Sequence, residues 1–379
     1  MTIEPRPADL ARPPERDPGE PALVELIRGE IERSGPVTFA RFMERSLYEP
    51  GLGYYATSAD RPTRAGDFLT APELHPIFGW AIARQVDEIW QRLGEPQSFA
   101  LREYGAGTGA LGGTIGEGLA QMGSLLSPSL RYEPVEIEGR LSADRRTDPM
   151  VGCVVANELL DALPVHRVVR HGDRLLELYV DWRDGRFTEV VGELSDARIA
   201  AQLGAAADGL ADGQRVEVNL RMTDWLVQVA LEVDRGYVVL IDYGLPRSDL
   251  HAPARATGTI RTFRGQHVSS DVLSGVGRQD LTAHVDLDAL EAGAVAAGFD
   301  VLGRTSQAEF LMGCGLDEIY QGARTEADRD WDSALLLRSA VRRLLDPSQL
   351  GSYAVVLLAK GVDRELPLRG LDYRLRRPD

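Results

Sequence analysis

Glu103-Tyr104-Gly105-Ala106-Gly107-Thr108-Gly109-Ala110-Leu111 decides the fold of this chain. It follows a short strand-like run, Phe99 to Tyr104, and opens a run with helical spacing that reaches about Met122. Glycines in that position let the backbone turn tightly and approach a ligand that a side chain would block. The start of the helix adds unpaired N–H groups and a partial positive charge. Two ligand classes compete for such a loop. The dinucleotide fingerprint G-x-G-x-x-G/A is formally matched by Gly105, Gly107 and Ala110. A loop for S-adenosylmethionine carries an acidic residue two places before alternating glycines, as Glu103, Gly105, Gly107 and Gly109 do. Charge separates the two. Glu103 would repel a pyrophosphate and attract an ammonium or sulfonium, so the loop favours the methyl donor over NAD. The bland alternative, a glycine-rich turn with no ligand, fits poorly between a strand and a helix.

Working outward, Arg131–Ile137, Val151–Ala156 and Tyr237–Ile241 read as further buried strands. Strands alternating with helical segments predict an α/β, Rossmann-like, mostly parallel sheet. In such a sheet ligands collect beyond the carboxyl ends of the strands. Glu136 ends the second strand, where a carboxylate can accept hydrogen bonds from ribose hydroxyls; Glu138 is read as facing solvent. Asn157-Glu158-Leu159-Leu160-Asp161-Ala162-Leu163-Pro164 follows the third strand. Asn157 there is a cofactor candidate, and Glu158 and Asp161 are candidates to hold a protonated acceptor nitrogen. The competing reading is helix capping by Asn157 with Glu158 in the first turn. Asp242-Tyr243-Gly244 ends the fourth strand and borders the same edge, unless it is an ordinary turn.

The remaining organisation is read from periodicity. Residues 1–20 are rich in proline and charge and are expected to be a disordered leader. Residues 21–75 form a helical and loop extension, with helices on either side of Pro36 and a Gly- and Tyr-rich loop from Tyr48. Gly66-Asp67-Phe68-Leu69-Thr70-Ala71-Pro72-Glu73 closes it, either as part of a site or as a capped turn. Residues 76–165 begin the core. Residues 166–221 are an inserted antiparallel meander, with strands at His166–Arg170, Leu175–Asp181 and Phe187–Glu193. Residues 222–379 complete the core with added helices.

The net charge is -16, from 42 basic and 58 acidic residues, which argues against a nucleic-acid partner. Lys360 is the only lysine. Cys153 and Cys314 cannot form a disulfide framework and suit a reducing compartment. No Cys/His cluster has metal-ligand spacing, and His75, His267 and His284 read as structural, so no metal is expected. There is no secretory signal pattern and no apolar run of membrane-spanning length. A cytoplasmic location without membrane insertion is expected; a homodimer is left open.

Five segments together carry a family likeness. They are Gly66–Glu73, Asn157–Pro164, Ile241-Asp242-Tyr243-Gly244, Gly258-Thr259-Ile260-Arg261 and Asp280-Leu281-Thr282-Ala283-His284-Val285. The chain resembles the MidA-like methyltransferases, relatives of the mitochondrial methyltransferase of complex I assembly, from about Gly35 to Gly361. It departs from that family's loop at Ala106 and Thr108. The resemblance implies a class I methyltransferase core with a seven-stranded, mostly parallel sheet. It implies S-adenosylmethionine, bound by the glycine loop and by Asp67, Thr70, Pro72 and Glu73. It also implies a protein arginine as acceptor. A small-molecule N- or O-methyltransferase and a non-catalytic assembly factor are the rival readings. Glu103, Glu136, Asn157 and Glu158 speak against the second of these.

Overall fold

The computed structural model describes residues 17–57, 70–136, 149–264, 267–327, 330–363 and 367–374. The chain begins with α1 (Pro21–Ser34), β1 (Val37–Thr38), α2 (Phe39–Tyr48), α3 (Tyr54–Thr57), α4 (Ala71–Leu74) and α5 (Ile77–Arg92). The core then opens with β2 (Phe99–Tyr104), α6 (Ala110–Gln121), β3 (Leu130–Val135) and β4 (Met150–Asn157). Next come β5 (His166–His171), β6 (Arg174–Arg183), β7 (Arg186–Gly192) and β8 (Arg215–Val218). The core resumes with α7 (Leu220–Glu232) and β9 (Val233–Asp242). Short strands follow: β10 (Gly244–Leu245), β11 (Arg261–Arg264), β12 (His267–Ser269), β13 (Asp280–Thr282) and β14 (Val285–Asp286). The last third holds α8 (Leu287–Ala296), β15 (Asp300–Ser306), three further helices between Gln307 and Leu345, and β16 (Ala354–Lys360).

The central sheet has six strands in the order β15-β16-β9-β4-β2-β3. The pairs β2–β3, β2–β4 and β4–β9 are parallel, whereas β9–β16 and β16–β15 are antiparallel. The expectation of seven mostly parallel strands is therefore corrected to a mixed, six-stranded sheet among the described residues. The physical reason lies in β16. Val355 to Leu358 are each at most 1% exposed, with helices on both faces. Burial on both faces erases the alternation and leaves a continuous apolar run whose sequence is silent about strand direction. Each such side chain contributes roughly 1.5–3 kcal/mol of burial. Lys360 ends β16 and donates to the carbonyls of Ala230 and Val233, closing the carboxyl end of α7.

The segment between the two halves of the core is antiparallel. β5, β6 and β7 form a meander, β8 pairs with β5, and β1 from the N-terminal extension pairs with β6. Residues 1–16 of the expected leader lie outside the described residues. Asp17 to Glu20 are placed, and Gly19 bridges Val276 while Asp17 reaches Arg264 and Arg278. The leader reading is corrected there: local composition does not report these distant partners.

Candidate functional site

The glycine loop leaves β2 with Gly105, Gly107 and Gly109 all at positive φ, 70°, 56° and 75°. That alternation is open to glycine and costly to a branched residue. The Gly105 N–H donates to Val135 O at 2.8 Å, which docks the loop on the end of β3. The Gly107 N–H donates to Glu136 Oε1, so the exposed carboxylate after β3 faces the loop.

Glu103 behaves differently from the expectation. It is 5% exposed and accepts from the Gly112 N–H at 3.0 Å and the Tyr132 hydroxyl at 2.7 Å. Its carboxylate therefore braces the first turn of α6 from below instead of standing open to a cation. Strand alternation explains this, because Glu103 shares the face of Phe99 and Leu101, which α6 covers. Burial pushes its pKa up, against the pull of its two donors. Gly112 makes the arrangement possible, since a Cβ there would stand 2.2 Å from the Tyr132 ring.

The loop after β4 carries the strongest electrostatics. No helix follows Asn157, which removes the capping reading for that residue. Glu158 sits at φ 51°, a strained conformation for a side chain of its size. Its Oε1 accepts from Asn157 Nδ2 at 3.0 Å and, at 3.4 Å, from the Ala71 N–H at the start of the four-residue α4. Asn157 Oδ1 is buried and has no partner among the described residues. Asp242, at the end of β9, shapes the loop. Its Oδ2 accepts the N–H groups of Leu159, Leu160 and Asp161 at 3.1, 2.7 and 3.4 Å, and its Oδ1 accepts that of Tyr243 at 2.7 Å.

Burial raises all three carboxyls of this edge. Glu158 is pushed up to about 8, and Asp242 to about 7 against the pull of its four N–H donors. Asp161, only 5% exposed, is pushed well above the carboxylate range by burial and by Asp242, Glu158 and Asp280 beside it. Among the described residues none of the three forms an ion pair, and no His, Cys, Asp or Glu group is arranged to hold a metal ion.

Of the loop before α5, Asp67 lies outside the described residues. Thr70 and Glu73 form a capping box around α4, with Pro72 in its first turn. The capped-turn reading thus holds, and the same turn lies against Glu158 through Ala71. His75 turns back on its own chain, accepting from the Ile77 N–H at 3.1 Å. His284 lies 6.0 Å from the Tyr243 ring, and burial lowers its pKa to about 4.

Tyr48, Tyr55 and Asp280 join this edge although their residue types and spacing did not mark them as site residues. Tyr48 donates to Ala162 O at 2.9 Å, and Tyr55 donates to Asp280 Oδ1 at 2.9 Å. Ala283 N–H donates to Asp161 O at 2.9 Å and Val285 N–H to Tyr243 O at 2.7 Å, which stitches this segment to the ends of β4 and β9. The only local signals were a tyrosine-rich loop and the Asp280–Val285 segment.

Comparison with known proteins finds relatives over most of the chain. A family described as S-adenosyl-L-methionine-dependent methyltransferases matches residues 81–305. The mitochondrial protein arginine methyltransferase NDUFAF7 of Xenopus tropicalis is 28% identical over 340 residues, spanning 78% of this chain and 76% of its own length. The human protein of that name is 27% identical over 348 residues, spanning 80% and 75%. A methyl-transferase-like protein of Burkholderia thailandensis, solved bound to S-adenosyl-homocysteine, is 31% identical. Its TM-score is 0.82, over 93% of this chain and 94% of that one. The curated relatives are mitochondrial by name, which overturns the expected cytoplasmic location. Two buried thiols suit any reducing compartment and could not separate the two.

Proposed function

This chain belongs to the S-adenosyl-L-methionine-dependent methyltransferases, and on that premise we propose that it methylates an arginine of a protein substrate. The observation that carries the acceptor class is the set of buried carboxyls, Glu158, Asp161 and Asp242, which have no cationic partner among the described residues, at the carboxyl edge of the sheet. A guanidinium stays protonated at neutral pH and offers several N–H donors to such a group.

The residues present fit the cofactor. Asn157 Oδ1 is an acceptor in want of a donor. The backbone of Gly105, Gly107 and Gly109 offers close approach, and Glu136 stands exposed at the edge for ribose hydroxyls. Glu103 supports this loop from beneath, and Thr70, Pro72 and Glu73 build the capped turn that meets Glu158 through Ala71. When bound, the cofactor supplies an electrophilic methyl group on a sulfonium. The protein's part is to orient one acceptor nitrogen toward it and to remove a proton. Asp161 holds the guanidinium. Glu158 Oε2, the oxygen not engaged by Asn157 or Ala71, takes the proton that the attacked nitrogen releases. The bound guanidinium favours the ionised form of Glu158, and the burial that raises this carboxyl to about 8 makes that form a stronger base than an ordinary carboxylate. We read residues 76–165 and 222–379 as one core interrupted by 166–221, because strands of both halves share the central sheet.

The test is transfer of a radiolabelled methyl group into native lysate, with and without protease, followed by acid hydrolysis. The expected result is a protease-sensitive band that yields methylarginine. Label confined to small molecules would remove the protein acceptor and leave the methyltransferase.

A further inference from the structure

We infer that the stacked pair Tyr48–Tyr55 is the plate on which the acceptor's planar cation lies, with Asp161 as the carboxyl that ionises against it and Asp280 orienting Tyr55. The inference rests on the methyl-transfer reading above and assigns the acceptor-recognising residues to the N-terminal extension. The two rings lie 5.4 Å apart at 27°. Their neighbour Tyr54 is 8% exposed and meets Tyr55 edge-on, at 5.2 Å and 75°. The extension thus sinks one tyrosine into the core and leaves the other two half-buried.

Both hydroxyls are tied to the active edge. Tyr48 holds the carbonyl of Ala162, the residue after Asp161, and Tyr55 holds Asp280. The backbone carbonyl of Asp161 in turn accepts from Ala283, three residues beyond Asp280. Ring faces and carboxyl therefore sit on one connected frame. Burial and the Asp280 carboxylate raise both phenols, so they remain neutral donors. A ring face attracts a cation, and a planar guanidinium does best when it can stack on a ring and direct its N–H groups into a carboxylate at once. A compact ammonium uses only the second feature. The combination selects arginine over lysine. Asn157 Oδ1, buried and without a partner on the same loop, independently marks this edge as a ligand-facing one.

The test is calorimetry on the full chain saturated with S-adenosyl-homocysteine, using the tripeptides Gly-Arg-Gly and Gly-citrulline-Gly as probes. Citrulline keeps the shape of arginine and removes the charge. The wild-type protein should bind the arginine peptide about tenfold or more tightly than the citrulline peptide. Tyr55→Leu should lose about tenfold of that preference, and Tyr55→Phe should keep it within about threefold. Affinity for S-adenosyl-homocysteine and the melting temperature should stay as in wild type. Should Tyr55→Leu fail to fold, Tyr48→Leu takes its place, and loss of the fold in both overturns the inference. So does a wild type with no preference, a leucine variant that keeps it, or a phenylalanine variant that loses it. A leucine variant that loses S-adenosyl-homocysteine at an unchanged melting temperature assigns the plate to the cofactor, which overturns it equally. A wild type that binds no S-adenosyl-homocysteine is a separate result and sinks the donor site instead.

Discussion

Two sets of buried carboxylates in this protein have similar burial and opposite company. In the body of the molecule, Glu232 is 4% exposed and receives Arg102 at 2.7 Å and the Tyr104 hydroxyl at 2.5 Å. Arg102 also holds Glu133 at 2.7 Å. Glu177, fully buried on β6, contacts His166 at 2.8 Å and accepts from the Ser195 N–H at 2.7 Å. At the edge of the sheet, Asp161 and Asp242 are 5% and 4% exposed and are held by backbone N–H groups, with no cation among the described residues. Burial raises Glu177 too, but its partners outweigh it and leave the group below the usual range, whereas Glu158 rises to about 8. Company, more than depth, decides the charge. A chain this rich in arginine supplies guanidinium to its structural carboxylates, whereas among the described residues the edge carboxyls have none, as the proposed cationic acceptor requires.

The comparison breaks first if the body pairs are dispensable. Arg102→Met leaves Glu232 buried without its cation, and should cost about 3 kcal/mol or more of stability. Denaturant unfolding reads that loss, while affinity for S-adenosyl-homocysteine stays within a few-fold. At the edge the cost should fall on chemistry. Glu158→Gln should lower turnover by roughly a hundredfold and leave cofactor affinity within a few-fold. Unchanged turnover with a slightly lower melting temperature would return Glu158 to a purely structural role. Glu136→Ala tests the cofactor side of the edge: calorimetry should show affinity for S-adenosyl-homocysteine down by about tenfold.

The same contrast should also show in the pH dependence of stability. In the unfolded chain the carboxyls of Glu158 and Asp242 lose their protons near pH 4. In the folded protein they hold them to about 8 and about 7. Over that interval the folded state binds more protons, so stability should fall as pH rises from about 4 toward about 8. Melting scans of the ligand-free protein across this window should show the slope, and Glu158→Gln should flatten it. Glu177, lowered in the fold, works the other way, and its contribution disappears only as pH drops below about 4.

Much of this was legible in the sequence because it is local. The run Phe99–Tyr104 is β2 to the residue, and the meander strands fall within a few positions of their expected ends. Glycine alternation after a strand announces positive φ, and Gly105, Gly107 and Gly109 have it. Direction was not legible, because β16 is apolar on both faces and its antiparallel pairing depends on where the chain re-enters the sheet. Nor was the face of Glu103, which a two-residue period places only once α6 is seen to cover it. The Tyr55–Asp280 contact joins residues 225 apart, and no window along the chain contains both. Sequence motifs located the edge; the partners that complete it come from distant turns.

Lys360 has a consequence of a practical kind. The chain has a single ε-amino group, and two carbonyls where α7 gives way to β9 occupy it. An amine-reactive reagent therefore meets no freely solvated lysine on the folded surface. Its reaction at this position waits on the ε-amino group leaving those two carbonyls. The rate of acylation at this side chain, read by mass spectrometry, reports how often that local contact opens, without any engineered probe.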